Sequence, residues 1–242
     1  MKKIVNYFKN FPKGVLILLS INIIVYLISL ILNSVYSINS LKYLAAYSTS
    51  NERFSPYQIV TSIFTHSTND YSHILSNLIF LLFFSVNVEN KIGTKNFIIL
   101  YFLSGLFAFV STNFILVESY YEIISRYKVR LQDLPILQSM YLDEYKFSLE
   151  TNYAYGSSGS VCGILGAYVI LNIKNYLKSL YNFFILLLMT GNIMTMITSN
   201  FDTSTGGCFA HIGGFTFGIL FSIFIILFKE KINLQTKKYN FI

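Results

Sequence analysis

The residues of this chain whose types and spacing suit catalysis are a serine and two histidines set among long apolar segments. His73 is followed four residues later by Asn77, so in a helix both lie on one face, about one turn apart. Ser158 and His211 each stand in a run of glycine and other small residues. A serine hydroxyl beside an imidazole is the nucleophile and base arrangement of acyl transfer. That chemistry requires helices that bring the three segments together.

The elements that must position these residues are predicted to be membrane-spanning helices. Of the 242 residues, 54% are hydrophobic and 12% are charged, which is about half the charged fraction of a soluble domain. The uncharged runs, about 20 residues long, exceed what a soluble fold of this size could bury. The second and fourth runs become long enough only when the polar residues at their starts are included. We therefore predict an all-α, polytopic membrane protein that forms a single domain, residues 1–242, with six spans at approximately 15–32, 73–88, 97–117, 158–173, 180–198 and 209–228.

Basic residues predict how the spans are oriented. With six spans, the side that holds the N-terminus carries twelve of the 18 Lys and Arg residues, and the opposite side carries six. The positive-inside rule then places both the N- and C-termini in the cytoplasm. This bias accounts for the net charge of +7, so nucleic-acid binding is not expected. Two long connections, 33–72 and 118–155, are predicted on the non-cytoplasmic side, as ordered loops packed on the membrane or as small helical elements.

This topology brings the candidate residues to one depth in the bilayer. The second, fourth and sixth spans begin on the non-cytoplasmic side, and His73, Asn77, Ser158 and His211 lie within about the first turn of these helices. On a helical wheel, the serine and the second histidine each head a stripe of small residues. Such stripes let membrane helices pack backbone to backbone, and we expect helix-packing roles for Gly159, Gly163, Gly166, Gly214 and Gly218.

Each cluster taken alone has an ordinary structural explanation. Glycine patterns pack helices in any polytopic protein, and a membrane serine often bonds to its own helix backbone. A membrane histidine can also relay protons in a transporter, but the acidic partners or broken helices of a transporter are not visible. The convergence of three clusters favours a hydrolase. Cys162 and Cys208 are too few for a disulfide framework and lack the spacing of a zinc site, so no metal or cofactor is expected.

In these motifs the sequence resembles the rhomboid family of intramembrane serine proteases. Residues 156–159 match the family's G-x-S-G, residues 210–218 match A-H-x-x-G-x-x-x-G, and residues 73–77 match H-x-x-x-N. The resemblance extends over roughly residues 57–228, in the family's order and with its six-helix topology.

The resemblance implies a catalytic dyad in which Ser158 attacks a peptide carbonyl and His211 transfers its proton. It also implies that the backbone N–H of Ser158 and the side chains of His73 and Asn77 stabilise the oxyanion. A dyad rather than a triad is expected, because no Asp or Glu lies inside a predicted span near that depth. The substrates implied are transmembrane proteins in the same lipid bilayer, cleaved by an active site towards its non-cytoplasmic side. The alternative is a catalytically inactive rhomboid-like protein that binds transmembrane clients.

The sequence departs from the family pattern at three places. Cys162 stands four residues after the serine, where the family usually has an aromatic residue that stacks on the base. Tyr57 and Gln58 stand near the position of a usual Trp-Arg pair, and the chain has no Trp. The connection 118–155 is longer than in compact members. These departures concern the orientation of His211, the loop before the second span and the access of substrates.

Overall fold

The computed structural model describes residues 11–133, 138–176, 178 and 207–239. The predicted fifth span, 180–198, lies outside the described residues. The described part of the chain contains helices and two short strands in the order α1 (Lys13–Tyr36), α2 (Leu41–Leu44), β1 (Ala46–Tyr47), α3 (Gln58–Thr61), α4 (Tyr71–Ile92), α5 (Thr94–Asp133), α6 (Gln138–Thr151), β2 (Tyr153–Ala154), α7 (Ser158–Tyr176) and α8 (Gly207–Tyr239).

Within the described residues, four helices are long and apolar enough to cross a membrane. They are α1, α4, α5 as far as Lys128, and α8 as far as Phe228, and they contain four of the six predicted spans. The mostly helical, polytopic character is therefore confirmed, whereas the count of six spans and the orientation of the termini stay predictions. α7 contains the predicted span 158–173 but does not belong to this group, because polar residues at both of its ends lower its mean hydropathy.

The surface of α1 shows how these helices suit a membrane. Val15, Leu18 and Asn22 are buried against the rest of the protein. Ile24 and Ile31, on the opposite side of the helix, are each 54% exposed. Apolar surface of this kind is unfavourable in water and suits the acyl chains of a bilayer. Together, the four helices indicate an integral membrane protein.

α7 lies at the centre of the described helices. It packs most extensively against α8, and it also contacts α5 and α4. Every residue from Ser157 to Ala167 is buried, and Ile164 belongs to a hydrophobic core with Leu81 of α4 and Leu100 of α5. The polar start of α7 is therefore enclosed by other parts of the protein.

The segment 118–155, predicted as a long connection, is largely helical in its described residues. α5 does not end at residue 117 but continues to Asp133, and α6 follows it. Residues 118–133 contain neither glycine nor proline, so the local sequence does not break the helix. Glu122 and Arg126, one turn apart, form an ion pair of 2.7 Å on this extension. Of the two expectations for this segment, the helical one is observed.

The two long connections are joined to each other. β1 from the first pairs antiparallel with β2 from the second, with Ala46 opposite Ala154. Glu150, at the end of α6, forms ion pairs with Lys42 at 3.0 Å and with Arg53 at 2.6 Å. The strand pair and the ion pairs therefore hold the end of α6 against the first connection.

Gln58 holds the loop before α4 through its side-chain amide. Its Oε1 accepts a hydrogen bond from the backbone N–H of Ser55 at 3.0 Å, and its Nε2 donates to the carbonyl oxygen of Arg53 at 3.2 Å. The hydroxyl of Tyr57 donates to the carbonyl oxygen of Tyr43 at 3.0 Å. An amide and a phenol therefore fasten this loop in a chain that has no Trp.

Candidate active site

A cavity of about 550 Å³ lies where the starts of α4, α7 and α8 meet. Three of the four predicted catalytic and oxyanion-stabilising residues line it: His73 from α4, Ser158 from α7 and His211 from α8. Gly105 and Ala108 of α5 line it as well. Three separate helices thus bring a hydroxyl and two imidazoles to one space.

Gly156 shapes the entry into α7. Its φ of +108° is a left-handed backbone conformation that favours glycine. A Cβ at this position would also lie 2.7 Å from Cε1 of His73, so a side chain here would displace the imidazole. The turn therefore places the start of α7, with the unpaired N–H groups of its first turn, beside His73.

The two adjacent serines that follow this turn have different surroundings. Ser158 lines the cavity. Ser157 is 1% exposed, and its side chain forms a hydrogen bond with Tyr101 and lies 3.5 Å from Nε2 of His66. Ser158 is therefore the serine that a molecule in the cavity can reach.

Glycines let α7 and α8 pack backbone to backbone. A Cβ added at Gly218 would collide with the carbonyl oxygen of Gly163. A Cβ added at Gly166 would collide with the carbonyl oxygen of Phe215. The absence of side chains at these positions is therefore what allows the close approach of the two helices.

The close packing of α7 on α8 continues to the starts of the two helices, where Ser158 and His211 lie. A Cβ at Gly214 would collide with the carbonyl oxygen of Gly159, and a Cβ at Gly159 would lie 3.5 Å from the carbonyl oxygen of Ala210. The residue after Ser158 is therefore close to the residue before His211. This contact brings the serine and the histidine to one cavity.

His211 is enclosed at the cavity and keeps a ring nitrogen unengaged. It is 6% exposed, and its Nδ1 has no hydrogen-bond partner among the described residues. No hydrogen bond joins it to Ser158 in the described part of the chain. Such catalytic contacts are often long in unliganded sites and shorten when substrate binds. An imidazole in this setting is suited to act as a general base.

Asp70 is a carboxylate at the same cavity and was not among the residues predicted from the sequence. It caps the start of α4, where its Oδ1 accepts hydrogen bonds from the backbone N–H of Ser72 at 2.9 Å and from the Ser72 hydroxyl at 2.6 Å. No hydrogen bond joins it to His73 or His211. The described residues therefore show no carboxylate bonded to either imidazole.

The fourth predicted site residue, Asn77, does not line the cavity. Its side chain is buried, and its Nδ2 lies 3.0 Å from Nε2 of His66. His66 was not predicted as a site residue, because it lies in a connection rather than in a predicted span. The feature that could have indicated His66 is its residue type, since the chain has three histidines and the other two were already candidates.

His66 is a neutral hydrogen-bond acceptor for Asn77. Its Nδ1 lies 3.3 Å from the carbonyl oxygen of Phe64, which can only accept, so the proton is assigned to Nδ1 and Nε2 accepts. Burial, with a smaller effect of the nearby His73, lowers the pKa of His66 to about 4. The same Nε2 lies 3.5 Å from the backbone nitrogen of Ser157. His66 thus connects the loop before α4 with α4 itself and with the turn into α7.

At the site, the ring of His73 makes contacts with two other rings. Its ring centroid lies 5.2 Å from that of His66 and 5.9 Å from that of Tyr155, both with edge-to-face geometry. Cys162, at the position where an aromatic residue was the family expectation, is a buried free thiol and is not among the residues that line the cavity.

Comparison with known proteins gives two results. The family model of the Rhomboid domain matches residues 53–228 of this chain. A relative named Rhomboid-like protease 3, from Toxoplasma gondii, is 33% identical over 100 residues, which are 40% of this chain. The match covers 37% of that relative's length, so the similarity concerns a part of each protein.

Proposed function

We propose that this chain, which belongs to the rhomboid family, is an intramembrane serine endopeptidase. It would hydrolyse a peptide bond in or next to a transmembrane helix of a membrane-protein substrate. The observation that carries the proposal is the meeting of Ser158, His211 and His73 from three helices at one cavity. The membrane surface of α1, α4, α5 and α8 agrees with a substrate that arrives through the bilayer.

The proposed reaction begins with Ser158. Its Oγ attacks the carbonyl carbon of the substrate while His211 accepts the hydroxyl proton. The tetrahedral intermediate collapses as the C–N bond breaks, and His211 gives the proton to the leaving amine. Water then attacks the acyl-enzyme with His211 again as the base, which releases the acid product and restores the serine.

The negative charge of the intermediate requires hydrogen-bond donors near Ser158. The backbone N–H of Ser158 belongs to the first turn of α7, where backbone donors are unpaired and the helix dipole favours an anion. His73 lines the same cavity and can donate from its imidazole. Asn77 does not line the cavity in this unliganded state and has one N–H of its Nδ2 directed at His66, so its proposed role as a donor requires that substrate binding bring the second N–H to the oxyanion.

The proposed topology determines where substrates are cut. With both termini in the cytoplasm, α4, α7 and α8 begin on the non-cytoplasmic side, so cleavage would occur just inside that face and release the outer part of the substrate. A peptide bond within an intact helix has its carbonyl hydrogen-bonded and shielded by side chains. Gly, Pro or polar residues near the cut would therefore favour cleavage by making local unwinding easier. A small residue just before the cut is also expected, because closely packed glycines lie beside Ser158.

A fluorophosphonate probe tests this function directly. The purified protein in proteoliposomes should be labelled, and both labelling and cleavage of a transmembrane reporter should be lost in Ser158→Ala. Loss of the base in His211→Ala should abolish cleavage. Ser157→Ala is the matched control and should keep labelling, because Ser157 does not line the cavity. The alternative, an inactive rhomboid-like protein that binds transmembrane clients, predicts no labelling of the wild type, and that result would overturn the proposal.

A further inference from the structure

Among the described residues that line the cavity, Asp70 is the one Asp, Glu, Lys or Arg, so it supplies the formal charge there. Its Oδ1 is engaged by Ser72, whereas its Oδ2 has no hydrogen-bond partner among the described residues. The hydrogen bonds from Ser72 lower the pKa of this carboxyl below its usual value, so the group is ionised at neutral pH. The cavity therefore contains a fixed negative charge.

Within the described part of the chain no Lys or Arg pairs with this charge, and the titratable side chain that acts on it is His73, which lines the same cavity. Lys42 and Arg53 pair with Glu150, and Arg126 pairs with Glu122. No described Lys or Arg lines the cavity. Capping α4 does not by itself require a charge, since Ser, Thr or Asn at the same position would also accept the backbone hydrogen bond. The negative charge of Asp70 is therefore available to something that enters the cavity.

Two tyrosines extend the same surface. Tyr153 and Tyr155 line the cavity and are partly buried. Their ring centroids lie 5.9 Å apart, and Tyr153 also packs edge-to-face on Tyr47 at 5.4 Å. The negative charge of Asp70 acts on Tyr155 and raises its pKa, in addition to the larger effect of burial, so the two groups are close. Aromatic rings held in place beside a carboxylate attract cations, because the ring face is electron-rich.

We propose that Asp70, Tyr153 and Tyr155, here termed the acidic-aromatic wall, select substrates that carry Lys or Arg near the cleaved bond, at a position other than the small residue just before it. This inference rests on the proposed protease function and identifies its substrate class. Basic residues are depleted from non-cytoplasmic segments of membrane proteins. A requirement for one at the outer end of a transmembrane helix would therefore distinguish a small set of substrates from the remainder.

The test uses the full chain in proteoliposomes with a series of transmembrane reporters. The reporters are identical except for one residue, which is Lys, Gln or Glu, placed in turn at each position near the cleaved bond except the one just before it, where a small residue is kept. At one or two positions Lys should raise kcat/KM over Gln by about five- to tenfold, and Glu should lower it. The preference should weaken at high salt, because Asp70 is exposed.

Variants of the wall identify the group responsible. Asp70→Asn retains a good helix cap and should bring the Lys-to-Gln ratio close to one, and Asp70→Lys should shift the preference towards Glu. Asp143→Asn is the matched control, since Asp143 is an exposed acid of α6 that is not among the residues lining the cavity. It should leave the ratio unchanged.

Two results would overturn the inference while leaving the proposed function in place. One is cleavage of the Gln reporters with no advantage for Lys at any position. The other is a Lys preference that Asp70→Asn does not reduce. If no reporter is cleaved and the probe does not label Ser158, the proposed function itself is wrong and the inference fails with it.

Discussion

Nδ2 of Asn77 lies 3.0 Å from Nε2 of His66, so two side chains from different segments are joined behind the candidate active site. Nδ1 of His66 bonds to the loop carbonyl of Phe64, and its Nε2 also lies 3.5 Å from the backbone nitrogen of Ser157. One imidazole thereby links the loop before α4, the α4 helix and the turn that presents Ser158.

Loss of this link should reduce catalysis. Removing an oxyanion donor typically costs about 10²–10³ in rate, so Asn77→Ala should lower kcat by that factor while the variant stays folded. His66→Ala should lower kcat less, by about tenfold, because it loosens Asn77 without removing its amide. The double variant should be less impaired than the product of the two effects, since both share one hydrogen bond. Full activity in Asn77→Ala would leave this residue with a packing role only.

The lowered pKa of His66 predicts a stability that depends on pH. With a folded pKa of about 4 and an unfolded value near 6.5, the unfolded chain takes up a proton between these values that the folded chain does not. The contribution of His66 to stability is therefore complete above pH 6.5 and is lost as the pH falls towards 4. The difference in Tm between the wild type and His66→Gln should narrow from about pH 7 to about pH 5. A difference that stays constant over this range would contradict the assigned protonation state.

The close packing of α7 on α8 predicts that one added methyl group is destabilising. In Gly218→Ala the new Cβ would meet the carbonyl oxygen of Gly163, and backbone on both sides leaves little room for adjustment. The variant should lose about 3 kcal/mol of stability, although alanine favours helix over glycine. Thermal unfolding in micelles measures the loss. Leu220→Ala, two residues along α8 at a site 59% exposed, is the control and should change Tm much less.

The carboxylate of Glu89 predicts a second stability-determining site, at the other end of α4. Its two oxygens accept hydrogen bonds from the backbone N–H groups of Gly14 and Val15 at 2.9 and 2.8 Å, and its Oε1 also accepts from the hydroxyl of Thr94 at 2.6 Å. Glu89→Ala would leave buried donors unsatisfied at the start of α1 and should cost about 3 kcal/mol or more. Glu122→Ala removes an exposed ion pair and should cost under about 1 kcal/mol. Equal losses of stability in the two variants would show that Glu89 is not a cap for α1.

Much of this architecture could be predicted because its signals are local. The length of an apolar run predicts a membrane helix, and the start of the run predicts the depth of the residues there. Small residues at helical spacing predict a face that can pack closely. The placement of His73, Ser158 and His211 at one cavity agrees with that reasoning. Their chemical roles remain predictions.

Other features were decided by contacts between segments far apart in the chain. His66 lies 91 residues from Ser157, Glu150 lies 108 residues from Lys42, and the strand pair joins the two long connections. None of these contacts has a periodic signal, because each depends on where complementary polar groups lie after the helices have packed. The sequence by itself therefore determined the main helices and which polar residues share a depth. Only the tertiary structure decided which of them meet, since a hydrogen bond requires a distance and an angle that local pattern does not encode.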